Sequence, residues 1–529
     1  MPIKRVLAPQ IDFSVLRREL RLPGEFPAAV IVEAEEVARV TPLPGVDRTD
    51  VPFLTLDPVG SQDLDQAMHL SRRDGGGYRV RYAIADVATY VRPGGAIEAE
   101  SWVRGQTIYL PDGRIPLHPP VLSEGAVSLL PGVERAAVVW TIDLDSAGET
   151  VAVSLERARV RSRVKLDYAG VQQQIEAGTA PEPVILLTEI GTLLARRAAE
   201  RGAVDLPLPA QEIERDGDGW RLVLRAPLPV EEHNAQISLL TGMAAARIML
   251  DGGIGLLRTM PAPKPEAVAK LRIAAEALDV PWPAGAPVSV VVASVDPASP
   301  HGAAFLDQAA DLLRGAAYTA FGVAADAAVE PNGAAKPITD RAAAGHGAAE
   351  PVNDRAAAGH GGAEAISDRA AARHGGAELM KDPAAAGHGG VGAPYAHVTA
   401  PLRRLADRYA TEVCLALHEG RPVPDWARDA LPRLPKAMAA TDRLASAADR
   451  GAIDLAEAVL LEHRVGETFE AAVLDLDEPS AKRPPGGTVA VDDPAVRARC
   501  LGELPLGRRV PVRLTVADPG TRTVRFELA

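Results

Sequence analysis

The stretch Thr55–Leu70, TLDPVGSQDLDQAMHL, decides how this chain is read. It carries Asp57, Asp63 and Asp65, three carboxylates within nine residues, with Gln66 directly after them. Carboxylates crowded beside Pro58 and Gly60 are costly to bring together, because like charges raise each other's pKa unless a cation compensates. Hard cations such as Mg²⁺ take carboxylate oxygens and keep positions open for water and phosphate. Two such ions about 4 Å apart can activate a water and stabilise the leaving oxygen of a phosphodiester. Composition alone also allows a plain acidic surface loop.

Outward from this segment the chain changes character several times. Ala67–Leu70, then Gly75-Gly76-Gly77, then Tyr78–Val87 reads as a hairpin with a flexible turn. Val138–Leu144 and Val151–Val160 flank a second turn at Ser146-Ala147-Gly148, so 51–165 is strand-rich. Before it, residues 1–50 read as a short helical segment that ends near Pro42–Gly45. After it, helical periodicity runs over Val184–Arg201, Ala235–Leu250 and Lys264–Leu278, with a further amphipathic helix expected over Phe305–Phe321. Helix resumes over Pro401–Glu419 and Lys436–Glu462. Residues 462–529 alternate apolar and polar positions (Val510, Val512, Leu514, Val516), the pattern of a small β-barrel.

Residues 338–392 stand apart. A 14-residue unit, ITDRAAAGHGAAEP in its first copy, recurs with His346, His360, His374 and His388 at equal spacing. Each copy has one bulky apolar anchor and several glycines, too little apolar area to offset the entropy of ordering it. A disordered or weakly helical insertion is expected, with metal binding by the spaced histidines as the other reading.

The bulk properties bound the function. The 529 residues are enough for a large core and more than one domain. A net charge of −13 excludes a protein that coats nucleic acid with its whole surface, but not a local basic channel with an acidic floor. Cys414 and Cys500 form no CxxC pair, which excludes a cysteine-built zinc site and suits a reducing cytoplasm. The sequence shows no signal-length or membrane-length apolar run, so a cytoplasmic location without membrane contact is expected, and no protein partner is evident.

Four segments in order carry a resemblance: DPVGSQDLDQA (57–67), IADVATYV (84–91), RGQTIYLPDGRIPLHPPVLSEGAVSLLPG (104–132) and YAHVTAPLRRLADRY (395–409). Together they resemble the RNB family of RNase II/RNase R-like exoribonucleases, from about residue 50 to about 460. The resemblance implies an α/β (α+β) RNB-type catalytic domain over 51–461, interrupted by the low-complexity insertion at 338–392, and an OB-type β-barrel over 462–529. It implies hydrolytic, processive 3′→5′ removal of nucleoside 5′-monophosphates from single-stranded RNA with Mg²⁺ or Mn²⁺. Two cold-shock-type barrels normally precede the domain in that family, and the 50 residues here are too few for them.

Roles follow position by position. The family pattern D-x5-D-x-D-D places Asp57, Asp63 and Asp65 on its first three aspartates, as metal ligands, with Asp65 also catalytic. Gln66 stands on the fourth. It offers a carbonyl oxygen to a metal but no charge, so the site either binds its metal more weakly or leans on one ion more than two. Tyr109 falls on the tyrosine that packs on the last base, where stacking contributes roughly 1–3 kcal/mol whichever base it is. Arg403 falls on the arginine that faces the scissile phosphate, a task suited to a guanidinium fork. Arg404 beside it is expected to contact RNA, as is Asp449 in AADRG, where the family has Glu. Leu206 replaces the aromatic of the family's second stacking platform. Asp86 reads as structural, in an apolar run. The alternating Arg157, Arg159, Arg161, Arg163 and Lys165 suit either an RNA path or a solvated strand face. Arg497, Arg499, Arg508, Arg509 and Arg513 accompany only Phe469 and Phe526 in the C-terminal barrel, which suits a weak RNA holder. The alternative to the enzyme is a non-catalytic RNA-binding protein on the same scaffold. No GxSxG, HExxH or P-loop pattern supports an unrelated hydrolase.

Overall fold

The computed structural model describes residues 10–204, 206, 209–297, 299–323, 387–477 and 484–529. Five strands make its first body: β1 (Phe53–Asp57), β2 (Gln66–Arg72), β3 (Tyr78–Ala85), β6 (Glu134–Leu144) and β7 (Thr150–Asp167). They close into a barrel in the order β1-β2-β3-β6-β7. The closing contact is parallel, with Asp57 opposite Asp167 on β1 and β7. Between β3 and β6 the chain forms the small ribbon β4 (Ile108–Leu110) and β5 (Gly113–Ile115), in which Tyr109 lies opposite Arg114.

Strands β1, β3 and β6 are mostly buried on both faces, which period-2 geometry turns into two cores. One parity (Val80, Tyr82, Ile84, Trp140, Ile142) packs with the helices α3 (Glu182–Glu200) and α4 (Pro229–Asp251). The other parity (Ala67, Ala83, Ala85, Ala137, Ala158) is small, and packs with the helix α2 (Ala28–Val40), which follows α1 (Ser14–Glu19). Asp86 caps β3 and is 3% exposed. Arg157 Nε meets its Oδ2 at 2.5 Å and Arg157 Nη2 reaches Glu412 at 2.8 Å, a structural ion network as expected.

The same network answers the question of the basic strand. Arg159 pairs with Asp47 at 2.7 Å, Arg161 pairs with Glu134, Arg163 donates to Thr49 O at 2.6 Å and Lys165 donates to Ser61 O. These side chains brace neighbouring loops and do not line the cavity described below.

Beyond the barrel come the hairpin β8 (Ala210–Asp216) and β9 (Gly219–Arg225), and the pair β10 (Gly255–Thr259) and β11 (Ala317–Phe321). Here the reading of Phe305–Phe321 as one helix is corrected. The helix α6 (Pro300–Ala309), which follows α5 (Pro265–Ala277), ends in a single 3-10 turn, and the chain then enters β11. Gly315 at φ +89° makes the break, and Tyr318, Thr319 and Phe321 pair with β10. The repeats over 338–386 lie outside the described residues. Residues 387–392, assigned to the same insertion by composition, belong to the folded body. Met260 N–H donates to Gly387 O at 3.2 Å, and the His388 side chain is 1% exposed, edge-on to Tyr395 at 5.6 Å. Residues 387–392 are held by a strand edge at Met260 and by the ring of Tyr395.

Two long helices, α7 (Leu405–His418) and α8 (Leu434–Leu461), lead to a closed barrel of β12 (Thr468–Leu476), β13 (Gly486–Val491), β14 (Val496–Leu501), β15 (Arg509–Asp518) and β16 (Thr523–Leu528). Its two phenylalanines, Phe469 and Phe526, meet edge-to-face at 5.8 Å in the barrel core, so neither offers a stacking face. Arg497, Arg499 and Arg509 pair with Asp307, Asp477 and Asp492 at 2.9, 2.9 and 2.7 Å.

The seam between helix and barrel is polar. Gln211 Nε2 donates to Glu457 Oε1 and to Ala495 O, both at 2.7 Å, and Arg497 N–H donates to the same Glu457 oxygen at 2.8 Å. Burial pushes Glu457 up to about 8, against these hydrogen bonds. A carboxyl whose folded pKa is raised stabilises the fold fully below its unfolded pKa near 4.5, and that stability is lost as pH rises to about 8. Glu457→Gln cannot ionise and keeps an acceptor for both N–H groups. Its thermal midpoint should lie above the wild type's at pH 8.5, by an amount reflecting a few kcal/mol, and near or below it at pH 5. A difference that does not change with pH would remove Glu457 as the cause.

Candidate active site

The aspartate segment is held by its one large apolar residue. Leu64 is fully buried, its N–H donates to Ser128 Oγ at 2.9 Å, and its carbonyl accepts from Leu129 N–H at 3.0 Å. Gly60, at φ +86°, makes the turn that follows Asp57. Fixing Leu64 sets Asp63 and Asp65 on the rim and floor of a cavity of ≈ 410 Å³, within the range of small-ligand pockets. Asp57, Gln66, Tyr109, Arg114 and Arg403 line the same cavity.

Asp65 is 5% exposed and held at both oxygens. Leu402 N–H donates to Oδ1 at 2.7 Å, and Arg403 Nε lies 3.5 Å from Oδ2. Burial pushes its pKa well above the usual carboxylate range, and Arg403 pulls against it. Asp57 is pushed up to about 7, again by burial, with Lys165 and Arg403 opposing. Its Oδ2 is buried without a hydrogen-bond partner. An orphaned carboxylate oxygen on a residue that lines the same cavity as a second buried carboxylate is what a hard cation relieves. Mg²⁺ is commonly held by one or two carboxylates plus substrate phosphate, and Asp57 with Asp65 fits that set. Among the described residues no group of three or more His, Cys, Asp or Glu side chains is arranged around one metal position.

Besides Asp65, two more of the four residues expected to hold metal have partners in the protein. Gln66 Oε1 accepts from the Tyr82 hydroxyl at 2.6 Å, and its Nε2 donates to Thr399 O at 2.7 Å. The carbonyl oxygen expected to face a metal is thus taken by a phenol on the neighbouring strand. Asp63 is bound by the Arg114 guanidinium, whose other arm meets Glu124 at 2.6 Å.

Tyr109 lines the cavity from β4, and its phenol is pushed up by burial and by the charge of Asp63. Arg403 lies beside it, about a quarter exposed, and follows a turn whose carbonyl at Ala400 accepts its N–H at 3.2 Å. Arg404 is placed differently from expectation. It is 6% exposed, and its guanidinium holds Asp407 at 3.0 and 3.1 Å, while Asp407 also accepts from Ala400 N–H. The fork therefore stiffens the loop that presents Arg403. Asp449 lies on α8 and is not among the cavity's lining residues. Leu206 is buried with Met260 and Phe305, away from the cavity.

Sequence reasoning missed Arg114 and three further lining residues. Asn234 and Ser238, one helical turn apart on α4, line the cavity with Tyr168. Asn234 Nδ2 donates to the Tyr168 hydroxyl at 2.9 Å, and its Oδ1 is buried without a hydrogen-bond partner. Two polar residues at i and i+4 on the buried side of an apolar helix were the available signal.

Known proteins share this architecture. Residues 46–321 match the RNB domain, and residues 467–529 match the RNase II-type exonuclease C-terminal S1 domain. A ribonuclease R of Vibrio parahaemolyticus is 33% identical over 174 residues, covering 32% of this chain and 21% of that protein. The chain therefore aligns with only about a fifth of that relative's length. Among solved structures, Mycoplasma genitalium RNase R in complex with ribose-methylated single-stranded RNA superposes with a TM-score of 0.75 at 18% identity, covering 98% of this chain and 77% of that one. Yeast Ssd1, described as a pseudonuclease, superposes with a TM-score of 0.61 at 14% identity, covering 95% of this chain and 54% of that one. The fold alone thus serves proteins with and without nuclease activity, and the residues in the cavity must decide.

Proposed function

Because the chain belongs to the RNB-domain family, we propose that it is a hydrolytic exoribonuclease that removes nucleoside 5′-monophosphates from the 3′ end of single-stranded RNA, using Mg²⁺ or Mn²⁺. One observation carries this reading. Asp65, Arg403, Tyr109 and the orphaned Asp57 oxygen share one cavity, although they come from three separate stretches of chain.

Each residue has a task there. Tyr109 stacks on the terminal base, which suits a nuclease indifferent to sequence. Arg403 pairs with the scissile phosphate and stabilises the charge that develops on it. Asp57 and Asp65 hold the divalent ion, which supplies Lewis-acid polarisation of the phosphate and lowers the pKa of a bound water. The Leu402 N–H and the Arg404–Asp407 pair keep Asp65 and Arg403 in register, so little reorganisation remains when RNA arrives.

The second reading, an RNA-binding protein that does not cleave, draws on Gln66, whose amide is fully engaged where the family carries a carboxylate. Labelled single-stranded RNA incubated with the full chain and Mg²⁺ or Mn²⁺ separates the two. Release of mononucleotides that stops with EDTA and returns with added ion is expected. Binding without release would establish the second reading, and release that persists in EDTA would overturn the role of the metal. The reading places the protein in the cytoplasm, and no helix among the described residues is long and apolar enough to cross a membrane.

A further inference from the structure

We propose that Arg114 is a built-in second cation of this site, so that the chain works with a single divalent ion held by Asp57 and Asp65. The inference rests on the metal-dependent nuclease reading and deepens it. Its starting point is a pair of side chains that line the same cavity. Gln66 removes one negative charge from the segment that opens with Asp57. Arg114 adds one positive charge directly on Asp63. A carboxamide in place of a carboxylate and a guanidinium seated on Asp63 act in the same direction, away from room for two divalent ions.

The geometry fixes Arg114 in this role. It sits on β5 opposite Tyr109 on β4, so a single ribbon presents both the stacking ring and the charge. One arm of the guanidinium binds Asp63, and the other binds Glu124 at 2.6 Å. A guanidinium stays charged at any physiological pH, and its planar fork matches phosphate oxygens as well as carboxylates. An ion ligated by Asp63 would have to displace an arginine that two carboxylates hold. Gln66 closes the other half of such a position, because its oxygen already accepts from Tyr82.

Charge balance agrees. Asp57, Asp63, Asp65 and Glu124 bring four negative charges. Arg114, Arg403 and Lys165, the last acting on Asp57 from behind Ser61, bring three positive ones. One divalent ion and one phosphodiester then bring the site to neutrality. A second divalent ion would leave it two charges positive, in a pocket with few other groups to offset them. Asp63 therefore acts as a positioning residue, holding Arg114 on the wall of the cavity that would receive the phosphate.

Manganese tests this without relying on turnover. Mn²⁺ is titrated into the full wild-type chain with AMP present, and binding is read by equilibrium dialysis and electron paramagnetic resonance. One Mn²⁺ per chain with the spectrum of an isolated ion is expected. Two ions per chain, or a spin-coupled spectrum, would overturn the proposal and leave the metal reading standing. No bound Mn²⁺ would overturn the metal reading, and the proposal with it. In the double variant Gln66→Asp/Arg114→Ala, checked for folding by circular dichroism, a second ion should bind and couple to the first. A folded double variant that still binds one ion would show that Arg114 does not hold the place of an ion. If the double variant does not fold, the wild-type stoichiometry alone decides.

Discussion

Asp65→Asn should lower turnover on single-stranded RNA by about 10²-fold or more, the scale of losing one preorganised electrostatic group, while the protein stays folded and keeps its RNA. The structure gives three reasons to expect this separation. Asp65 is buried and its carboxylate is disfavoured there, so a neutral amide relieves desolvation. Asparagine keeps an oxygen for the Leu402 N–H. Removing a negative charge beside the phosphate also lessens repulsion, so RNA affinity should hold or rise. Single-turnover cleavage, a filter-binding isotherm and a melting curve on the same preparation check all three. Turnover within tenfold of wild type would show that Asp65 is not at the chemical centre. A lower melting temperature would show that its charge stabilises the fold.

Gly242→Ala should cost on the order of 3 kcal/mol of stability, the upper part of the usual range for overpacking. Gly242 lies on α4, and a Cβ there would overlap Tyr395 Cε2 and stand 2.6 Å from Ala396 O. The ring cannot step aside, because Tyr395 is 1% exposed and edge-on to His397 at 5.4 Å. Nor can the backbone, because Ala396 N–H donates to Gly242 O at 3.1 Å. Any relief would push the following residues, which supply the Thr399 carbonyl to Gln66 and the Leu402 N–H to Asp65. Chemical denaturation should show the loss, with cleavage reduced alongside it. Gly45→Ala, with open space around its Cβ, is the control and should be near neutral. Equal midpoints for the two variants would refute the packing argument.

Much of this site was legible in the sequence, and the unreadable part has a common cause. The aspartate segment, Tyr109 and Arg403 could be assigned because each sits in a local pattern. The two-barrel architecture was legible in part, since the C-terminal alternation is a property of neighbouring residues. What could not be read depends on partners remote along the chain. Gln66 meets Thr399 from 333 residues away. Arg404 looks like Arg403 in sequence, but Asp407 claims one and leaves the other facing the cavity. The segment Phe305–Phe321 is apolar enough for either a helix or a strand, and only its pairing with β10 decides. Arg114 would have passed for a turn residue until Asp63 and Glu124 were seen to converge on it.

The long strand β7 has a consequence for how RNA reaches this protein. Three of its arginines, Arg157, Arg159 and Arg161, are committed to carboxylates within the fold, so few are available to displace the counterions that surround a polyanion. On the proposed reading, a net charge of −13 would repel RNA over a range set by the Debye length, which is longest in dilute buffer. Encounter is therefore slowest in dilute buffer and quickens as added salt screens that repulsion, the reverse of the steep weakening seen for basic nucleic-acid binders. If the chain is the proposed exoribonuclease, capture would then depend on the few groups inside the cavity, and a free 3′ end would be selected by entry and not by attraction from afar.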